Sequence, residues 1–319
     1  MTFSLLNSAR HVLNLARHVK HRYFARRDLW TIALYKIQLE RDIFQIEAHK
    51  PFAFIGETGI RTSRQYQSTV ADPFLFNHKN EVFIFYEVQS DFGVGEIHAS
   101  AIDENKVTTQ YGCVLKEDFH LSYPQVFLHD GTIWMIPETA SDKKVWLYRC
   151  TAFPNGWERE RVLIDEEIVD ASLIVGEDGL YILGTNRLPE LKLFYAANLH
   201  QTFSDAHISI TKDKTIVRNA GTPVRIDGNL YRLAQDCQNS YGENINILEV
   251  TSLRHDNYSE TLVVRNLFKN KPEWMELGCH HMSLARHGHG FLLAIDGKRR
   301  DKLINSFTLA FLQAWRGRQ

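Results

Sequence analysis

Carboxylates recur in this sequence at matched places. Asp72 is second in ADPFLFNHKNEVFIFYE, which runs from Ala71 to Glu87. SYPQVFLHDGTIWMIPE begins at Ser122, carries Tyr123 in the place of Asp72, and closes on Glu138. Asp170 is second in VDASLIVGEDGLYILGT, which begins at Val169. NAGTPVRIDGNLYRLAQD begins at Asn219 and ends on Gln235 and Asp236. HHMSLARHGHGFLLAID has His281 second and ends on Asp296. Carboxylates drawn together repel, so at least one holds its proton to higher pH unless a cation or hydrogen bonds compensate. Such a pair suits glycosidic chemistry: one carboxylic acid protonates the leaving oxygen, and a carboxylate activates water or attacks carbon. The plainer use of the same residues is to bond backbone at the starts of the repeats and cap a central channel.

The elements that position these groups follow from the repeat itself. Its starts lie roughly 50 to 60 residues apart, a period of propeller blades. In each unit an apolar strand meets a turn about eight residues on. The turns are read at Lys79-Asn80, Asp130-Gly131, Asp178-Gly179, Asp227-Gly228 and His289-Gly290. Asp-Gly favours the left-handed backbone of tight hairpins. A second apolar strand follows, and a third is visible at Gly95–Ala99, Val145–Arg149, Leu193–Ala197 and Ile245–Glu249. Residues between the units supply fourth strands. The expectation is an all-β, five-bladed β-propeller over residues 29–319, with blades starting near Asp72, Tyr123, Asp170, Ala220 and His281. Trp30–Ile37 (WTIALYKI) is a strand before the first repeat that completes the last blade. A sandwich or two smaller β domains would not explain five similar units.

In a hairpin the start of strand one lies beside the end of strand two. Strand one is innermost in a blade, so Asp72, Tyr123, Asp170, Ala220 and His281 surround the axis on one face. Glu87, Glu138, Thr185, Gln235, Asp236 and Asp296 come nearby from the second strands. The stretch DCQNSYGENIN, from Asp236 to Asn246, overhangs the same mouth. It offers Glu243 for sugar hydroxyls and Tyr241 for stacking on a sugar ring. The expected site therefore has Asp72, Asp170 and Glu138 as candidate catalytic groups. Glu87, Tyr123, Gln235, Asp236, Tyr241, Glu243, His281 and Asp296 are the candidate substrate contacts.

These residues resemble the five-bladed propellers of the glycoside hydrolase family 43 type. They resemble more closely the N-terminal propeller of plant glucosamine inositolphosphorylceramide transferases and its bacterial homologues. The likeness runs from about Trp30 to the C-terminus. In family 43 an Asp-Pro of the first blade carries the general base, and Asp72-Pro73 matches it. An Ile-Asp-Pro of a later blade carries the Asp that tunes the acid, and Val169-Asp170-Ala171 matches it with Ala for Pro. The general acid is expected at the start of blade four in a Glu-Gly-Pro setting. Here the chain reads Ala220-Gly221-Thr222-Pro223, so that Glu is absent. Glu138, Asp236 and Glu243 are the carboxylates that could stand in for it. The family's Gly-His-Asn-Ser, whose His lies near a central cation, is similar to Cys279-His280-His281-Met282-Ser283, with His281 at the matching position. The resemblance leaves room for a central Ca²⁺ or Na⁺ beside His281. It implies a carbohydrate-active or carbohydrate-binding propeller, acting on a glycan or glycoconjugate in surface polysaccharide or glycolipid assembly. The alternative from another class is a non-catalytic protein-interaction scaffold.

Composition narrows the field further. The net charge of -1 gives no global electrostatic case for nucleic acid. The four cysteines are scattered with no CxxC pair, which argues against a cysteine zinc site or a disulfide framework and for a reducing compartment. There is no HExxH, P-loop, GxGxxG or GxSxG motif. No run of about 18 apolar residues exists to span a membrane. Residues 1–28 read as a separate basic amphipathic helical extension. Leu5, Leu6, Ala9, Val12, Leu13, Ala16 and Val19 recur at helical spacing among Arg10, Arg17, Lys20 and Arg22. It suits an anionic membrane surface, which would give a cytoplasmic protein peripheral to the inner face of the membrane, or its apolar stripe packs on the propeller or on a partner protein.

Overall fold

The computed structural model describes residues 28–56, 69–89, 94–103 and 106–300. The amphipathic segment expected over residues 1–28 lies outside the described residues apart from Asp28. The chain divides into two units, and the propeller is the one made of Trp30–Thr58 with Tyr66–Arg299.

Among the described residues, twenty-one strands form five antiparallel sheets. Blade one is β3 (Thr69–His78), β4 (Glu81–Gln89), β5 (Glu96–Ile102) and β6 (Val107–Leu115). Blade two is β7 (Ser122–His129), β8 (Thr132–Glu138), β9 (Val145–Ala152) and β10 (Gly156–Ile164). Blade three is β11 (Ile168–Val175), β12 (Leu180–Asn186), β13 (Leu191–Ala196) and β14 (Ser204–Thr211). In blade four the inner strand is broken into β15 (Arg218–Asn219) and β16 (Val224–Ile226), followed by β17 (Asn229–Asp236), β18 (Asn244–Arg254) and β19 (Asn257–Val264). Blade five joins β20 (Met282–His287) and β21 (Gly290–Arg300) to β1 (Asp28–Ile37) and β2 (Ala53–Ile55), in the order β2-β1-β21-β20. The strand expected over Trp30–Ile37 thus completes the last blade. The Met282 N–H donates to the Ala220 carbonyl at 2.8 Å, tying blade four to blade five at the axis.

Five apolar clusters fill the spaces between neighbouring blades, because a strand's side chains alternate between its two faces. On β4, Val82, Ile84 and Tyr86 pack with Ile32 and Leu34 of blade five. Phe83 and Phe85, between them in sequence, pack with Met135 and Tyr148 of blade two. Aromatic and branched side chains supply the width that five wedge-shaped gaps need.

The hairpin turns follow the sequence at three blades. Lys79-Asn80, Asp130-Gly131 and Asp227-Gly228 all have positive φ at both residues, the type I′ geometry that matches strand twist. Two differ from expectation. In blade three Val175 pairs with Leu180, so Asp178-Gly179 ends a four-residue loop from Gly176, closed by Gly176 N–H on the Gly179 carbonyl at 2.9 Å. In blade five His287 pairs with Gly290, which centres the turn on Gly288-His289 and not on His289-Gly290. Gly288 takes the positive φ of 57° that the turn requires, so the first glycine of the Gly-His-Gly run is the one used.

Candidate functional site

The pairing register places the carboxylates as hairpin geometry demands. Ala71 pairs with Glu87, Ser122 with Glu138, Val169 with Thr185 and Arg218 with Gln235. Each of the first three inner strands then breaks register at the next residue. Asp72, Tyr123 and Asp170 sit in these breaks with φ of 52°, 48° and 52°. A bulge with a left-handed first residue bends the strand and turns its side chain away from the ladder. Asp tolerates that conformation better than most residues, while Tyr is an outlier there. The strain falls at the same place in three blades and projects three polar side chains toward the axis.

The carboxylates then bridge neighbouring blades. The Tyr123 N–H donates to Asp72 Oδ2 at 3.1 Å, the Asp170 N–H to Glu138 Oε2 at 3.0 Å, and the Asp72 N–H to Asp296 Oδ2 at 3.2 Å. Asp296 also accepts the N–H groups of His280 and His281, at 2.9 and 3.0 Å. Arg218 Nε donates to Asp170 Oδ2 at 2.6 Å, and Gln235 Nε2 reaches the same oxygen at 3.1 Å. The backbone use of these carboxylates is therefore real, and it leaves oxygens over: Asp72 keeps Oδ1 for His280, whose Nε2 lies 3.6 Å away.

His280 is the hub that sequence reasoning passes over for its neighbour. Its Nδ1 lies 2.6 Å from Asp296 Oδ2, and its ring stacks on Trp30 with centroids 4.0 Å apart. Asp72, His280 and Asp296 are buried and bring one donor atom each within 4.8 Å of one another, a set able to hold a metal ion. His281 points elsewhere. Its ring lies against Phe74 and Tyr123, and neither nitrogen has a hydrogen-bond partner. Two orphaned nitrogens fit a water or a hydrated ion, but the carboxylates that would complete a cation site gather on His280.

Electrostatics separate the carboxyl groups. Burial pushes Asp72 up to about 7, with His280 opposing and Asp296 adding. Burial and then Asp170 lift Glu138 to about 8. Burial, with Asp72 and Glu138 behind it, raises Glu87 well above the usual carboxylate range. Burial would lift Asp296 as well, but His280 outweighs it and holds Asp296 low. The same pairing overcomes burial at His280 and raises it, whereas burial, opposed by Asp296 and aided by His280, drives His281 down to about 3. Glu138, at about 8, thus keeps its proton near neutrality, while Asp296 is held on the ionised side.

The other expected contacts sort by exposure. Tyr241 is 47% exposed, edge-on to His280 at 5.2 Å and to Trp30 at 6.1 Å, with the Arg218 guanidinium 5.1 Å from its ring centre. It is the exposed aromatic ring beside the carboxylate cluster. Glu243 accepts from Asn239 at 3.0 Å, and Asp236 accepts the Gln238 N–H at 3.0 Å, so both shape the loop that carries Tyr241. Tyr123 is fully enclosed, its hydroxyl shared between Ser172 Oγ at 2.8 Å and the Gly221 N–H at 2.9 Å. Gln235 is likewise buried, donating to the Asn219 carbonyl at 2.7 Å. These two organise the floor. Ala220, which stands where family 43 has its general acid, is buried in the apolar cluster between blades four and five.

Trp30, Arg218, His120 and His280 belong to the site, and sequence reasoning does not single them out. His120 Nδ1 accepts the Gly95 N–H at 2.9 Å, which leaves the ring proton on Nε2, 3.3 Å from Glu87 Oε1. Three of the four carry a positional signal: Trp30 begins the closing strand, Arg218 stands a single residue before the fourth repeat, and His280 begins the fifth.

Residues 56–298 match the protein family described as glucosamine inositolphosphorylceramide transferase 1, N-terminal. Glucosamine inositolphosphorylceramide transferase 1 of Oryza sativa subsp. japonica is 33% identical over 251 residues, covering 72% of this chain and 33% of that protein. The Arabidopsis thaliana protein of the same name is 32% identical over 247 residues, covering 72% of this chain and 32% of its own length. The chain thus spans about a third of these relatives. Among solved structures, a family 43 β-xylosidase/α-arabinofuranosidase from a compost microbial metagenome superposes with a TM-score of 0.56 at 11% identity, over 77% of this chain and 94% of that one. An α-L-arabinofuranosidase from Clostridium thermocellum gives 0.53 at 12% identity, over 70% and 80%. At such identities the likeness is one of fold.

Proposed function

The chain belongs to the glucosamine inositolphosphorylceramide transferase 1 N-terminal family, and from that premise we propose that its carboxylate-lined mouth binds the sugar of a glycoconjugate in glycolipid or surface-polysaccharide assembly. The observation that carries this reading is the convergence of Asp72, Glu87, Glu138, Asp170 and Asp296 beneath an exposed Tyr241 flanked by Arg218. Hydrogen-bonding groups below an aromatic face suit a sugar ring, which presents hydroxyls at its edge and C–H groups on its face. The relatives' names supply the ligand class, a sugar-bearing lipid head group. The transfer in those names is not carried over to a chain that spans a third of their length. The free cysteines favour the reducing, cytoplasmic side of a membrane as the place of action.

Recognition is favoured over hydrolysis for a specific reason. The position matching the family 43 acid is a buried Ala220, and Glu138, the carboxyl best suited to replace it by protonation, lies in another blade with one oxygen, Oε2, held by the Asp170 N–H. The test is a glycan array probed with the whole protein, then calorimetry on the best hit with wild type and Tyr241→Ala. We expect binding that the variant weakens by about tenfold, the scale of one aromatic contact. No glycan bound on the array would sink the reading and favour a protein-interaction scaffold. Release of free sugar from the bound glycan would return hydrolysis in its place.

A further inference from the structure

A second constellation lies on the outer strands of blade one. Glu96 and His98 are two residues apart on β5 and so share a face. That face is opposite to the one on which Ile97 and Ala99 pack toward blade two. His98 is paired across the ladder with Cys113 of β6. The pairing is irregular on both sides of it, with register shifts between Ile97 and His98 and between Ala99 and Ser100. Gly112 takes a φ of 73° beside Cys113. Bulges of this kind re-aim a side chain, and here the thiol joins the imidazole and the carboxylate.

The three donor atoms, one from each of Glu96, His98 and Cys113, lie within 4.8 Å of one another. His98 Nε2 is 2.8 Å from Glu96 Oε1, and Lys116 Nζ is 2.9 Å from the other oxygen, Oε2. In a tetrahedral zinc site, bonds of about 2.0 to 2.3 Å place neighbouring ligand atoms roughly 3.3 to 3.7 Å apart. The Glu96–His98 pair opens by about half an ångström to reach that spacing, and the thiol starts within 4.8 Å of both. Lys116 can stay on Oε2 while Oε1 turns to the metal, and its side chain is mostly exposed and able to swing.

We propose that Glu96, His98 and Cys113 form a zinc site on the rim of blade one, separate from the sugar-binding mouth. The donor set decides the metal. A thiolate beside an imidazole disfavours Ca²⁺ and Mg²⁺, which take oxygen ligands. One sulfur, one nitrogen and one oxygen suit Zn²⁺, with water in the fourth position because Cys113 is exposed. Binding displaces the thiol proton to solvent and ties the edge strand β6 to β5. Its effect is to fasten the outer rim of the blade that carries Asp72 and Glu87.

The test uses the whole protein, kept reduced by a phosphine and stripped of metal. Zn²⁺ is titrated against a chromophoric chelator, and Co²⁺ is added separately as a spectroscopic probe. We expect one equivalent bound, with a thiolate-to-cobalt charge-transfer band and the intense visible bands of tetrahedral Co²⁺. Cys113→Ser should abolish the charge-transfer band. Cys113→Ser and His98→Ala should each weaken Zn²⁺ binding by at least about a hundredfold, beyond what an outer-shell partner contributes. Cys150→Ser should change nothing. All three substitutions are on outer strands, and unchanged melting without metal checks that they fold. A Co²⁺ complex without the thiolate band, or Zn²⁺ affinity unchanged in Cys113→Ser, would overturn the proposal.

Discussion

The backbone N–H of Tyr123 donates to Oδ2 of Asp72 at 3.1 Å, across the boundary between blades one and two. The other oxygen of the same carboxylate faces His280 at 3.6 Å. One side chain therefore serves as an inter-blade strut and faces the buried His280, and in the proposed reading it also contacts the sugar. Asp72→Asn separates the two duties. The amide oxygen can still accept from Tyr123, while the negative charge is lost. We expect unfolding free energy to move by less than about 1 kcal/mol, the scale of a single neutral hydrogen bond. Glycan affinity should fall by about 1.5 to 3 kcal/mol, the loss of a charged hydrogen bond. Any turnover should fall at least about a hundredfold. Calorimetry on the best array hit decides: unchanged affinity would leave Asp72 a strut only.

Glu138 makes a prediction about pH. Its carboxyl titrates near 8 in the folded chain and near 4.5 as an unperturbed group. Between those values the folded state holds a proton that the unfolded state has released. The slope of stability with pH is then negative for this group. Its contribution is full below about pH 4.5 and is lost as pH rises through 8. Asp72, at about 7, acts in the same direction. Asp296, held low, acts in the opposite one and loses its contribution as pH falls. Glu138→Gln keeps an acceptor for the Asp170 N–H and cannot titrate. The stability of this variant relative to wild type should rise between pH 5 and pH 8 by more than about 1.4 kcal/mol, the equivalent of one pKa unit. Urea melts at the two pH values measure it, and a flat difference would show that Glu138 ionises freely.

The mouth is partly legible in the sequence, and the reason is local. A hairpin fixes which residue lies beside which, so the turn at Lys79-Asn80 brings the start of β3 beside Glu87, and the bulge at Asp72 then slips the pairing by one residue to Ala71. The repeat carries that logic from blade to blade. It does not say which face of a blade meets its neighbour, nor what fills the gap. Strand alternation separates His280 from His281 and is silent on which of them meets Asp72 and Asp296. Trp30 is legible as part of a closing strand, and only packing of β1 on β21 sets its ring on His280. Arg218 and His120 reach carboxylates across blade and loop boundaries that no local pattern encodes.

Arg232 is another residue that pattern reading could not place. It is fully buried in β17, with Nε and Nη2 paired to Glu260 at 2.7 and 2.6 Å. Nη1 reaches Asn219 at 3.2 Å, and Nη2 also reaches the Ile216 carbonyl at 2.9 Å. Tyr258 donates to Glu260 at 2.6 Å. Removing one partner strands a buried charge, so Arg232→Ala or Glu260→Ala should each cost about 3 to 5 kcal/mol. Replacing the pair together, as Arg232→Met with Glu260→Leu, should cost much less than the two alanine variants summed. Denaturant midpoints of the three proteins test this, and additive losses would mean that the two residues stabilise the blade independently.

Ala220 yields the sharpest test of the site's chemistry. If the mouth were a family 43 site that had merely lost its acid, Ala220→Glu should restore hydrolysis. The packing argues otherwise. Ala220 has no exposed surface and belongs to the apolar cluster with Leu233, Ile245 and Met282. Its N–H and carbonyl are both used, on the Leu233 carbonyl at 2.9 Å and the Met282 N–H at 2.8 Å. Gly221 beside it packs so closely on blade five that a Cβ there would lie 2.1 Å from the Met282 carbonyl oxygen, and its φ of 129° favours glycine. A glutamate at 220 would therefore bury a carboxyl among aliphatic side chains and overfill the cluster. An unpaired buried charge and overpacking together place such a change among the most damaging single substitutions, above about 4 kcal/mol. We expect Ala220→Glu to lower the melting temperature steeply and to release no sugar from the glycan that wild type binds. A stable Ala220→Glu protein that hydrolyses that glycan would show that the blade-four start opens onto the mouth, and the recognition reading would give way to a dormant hydrolase.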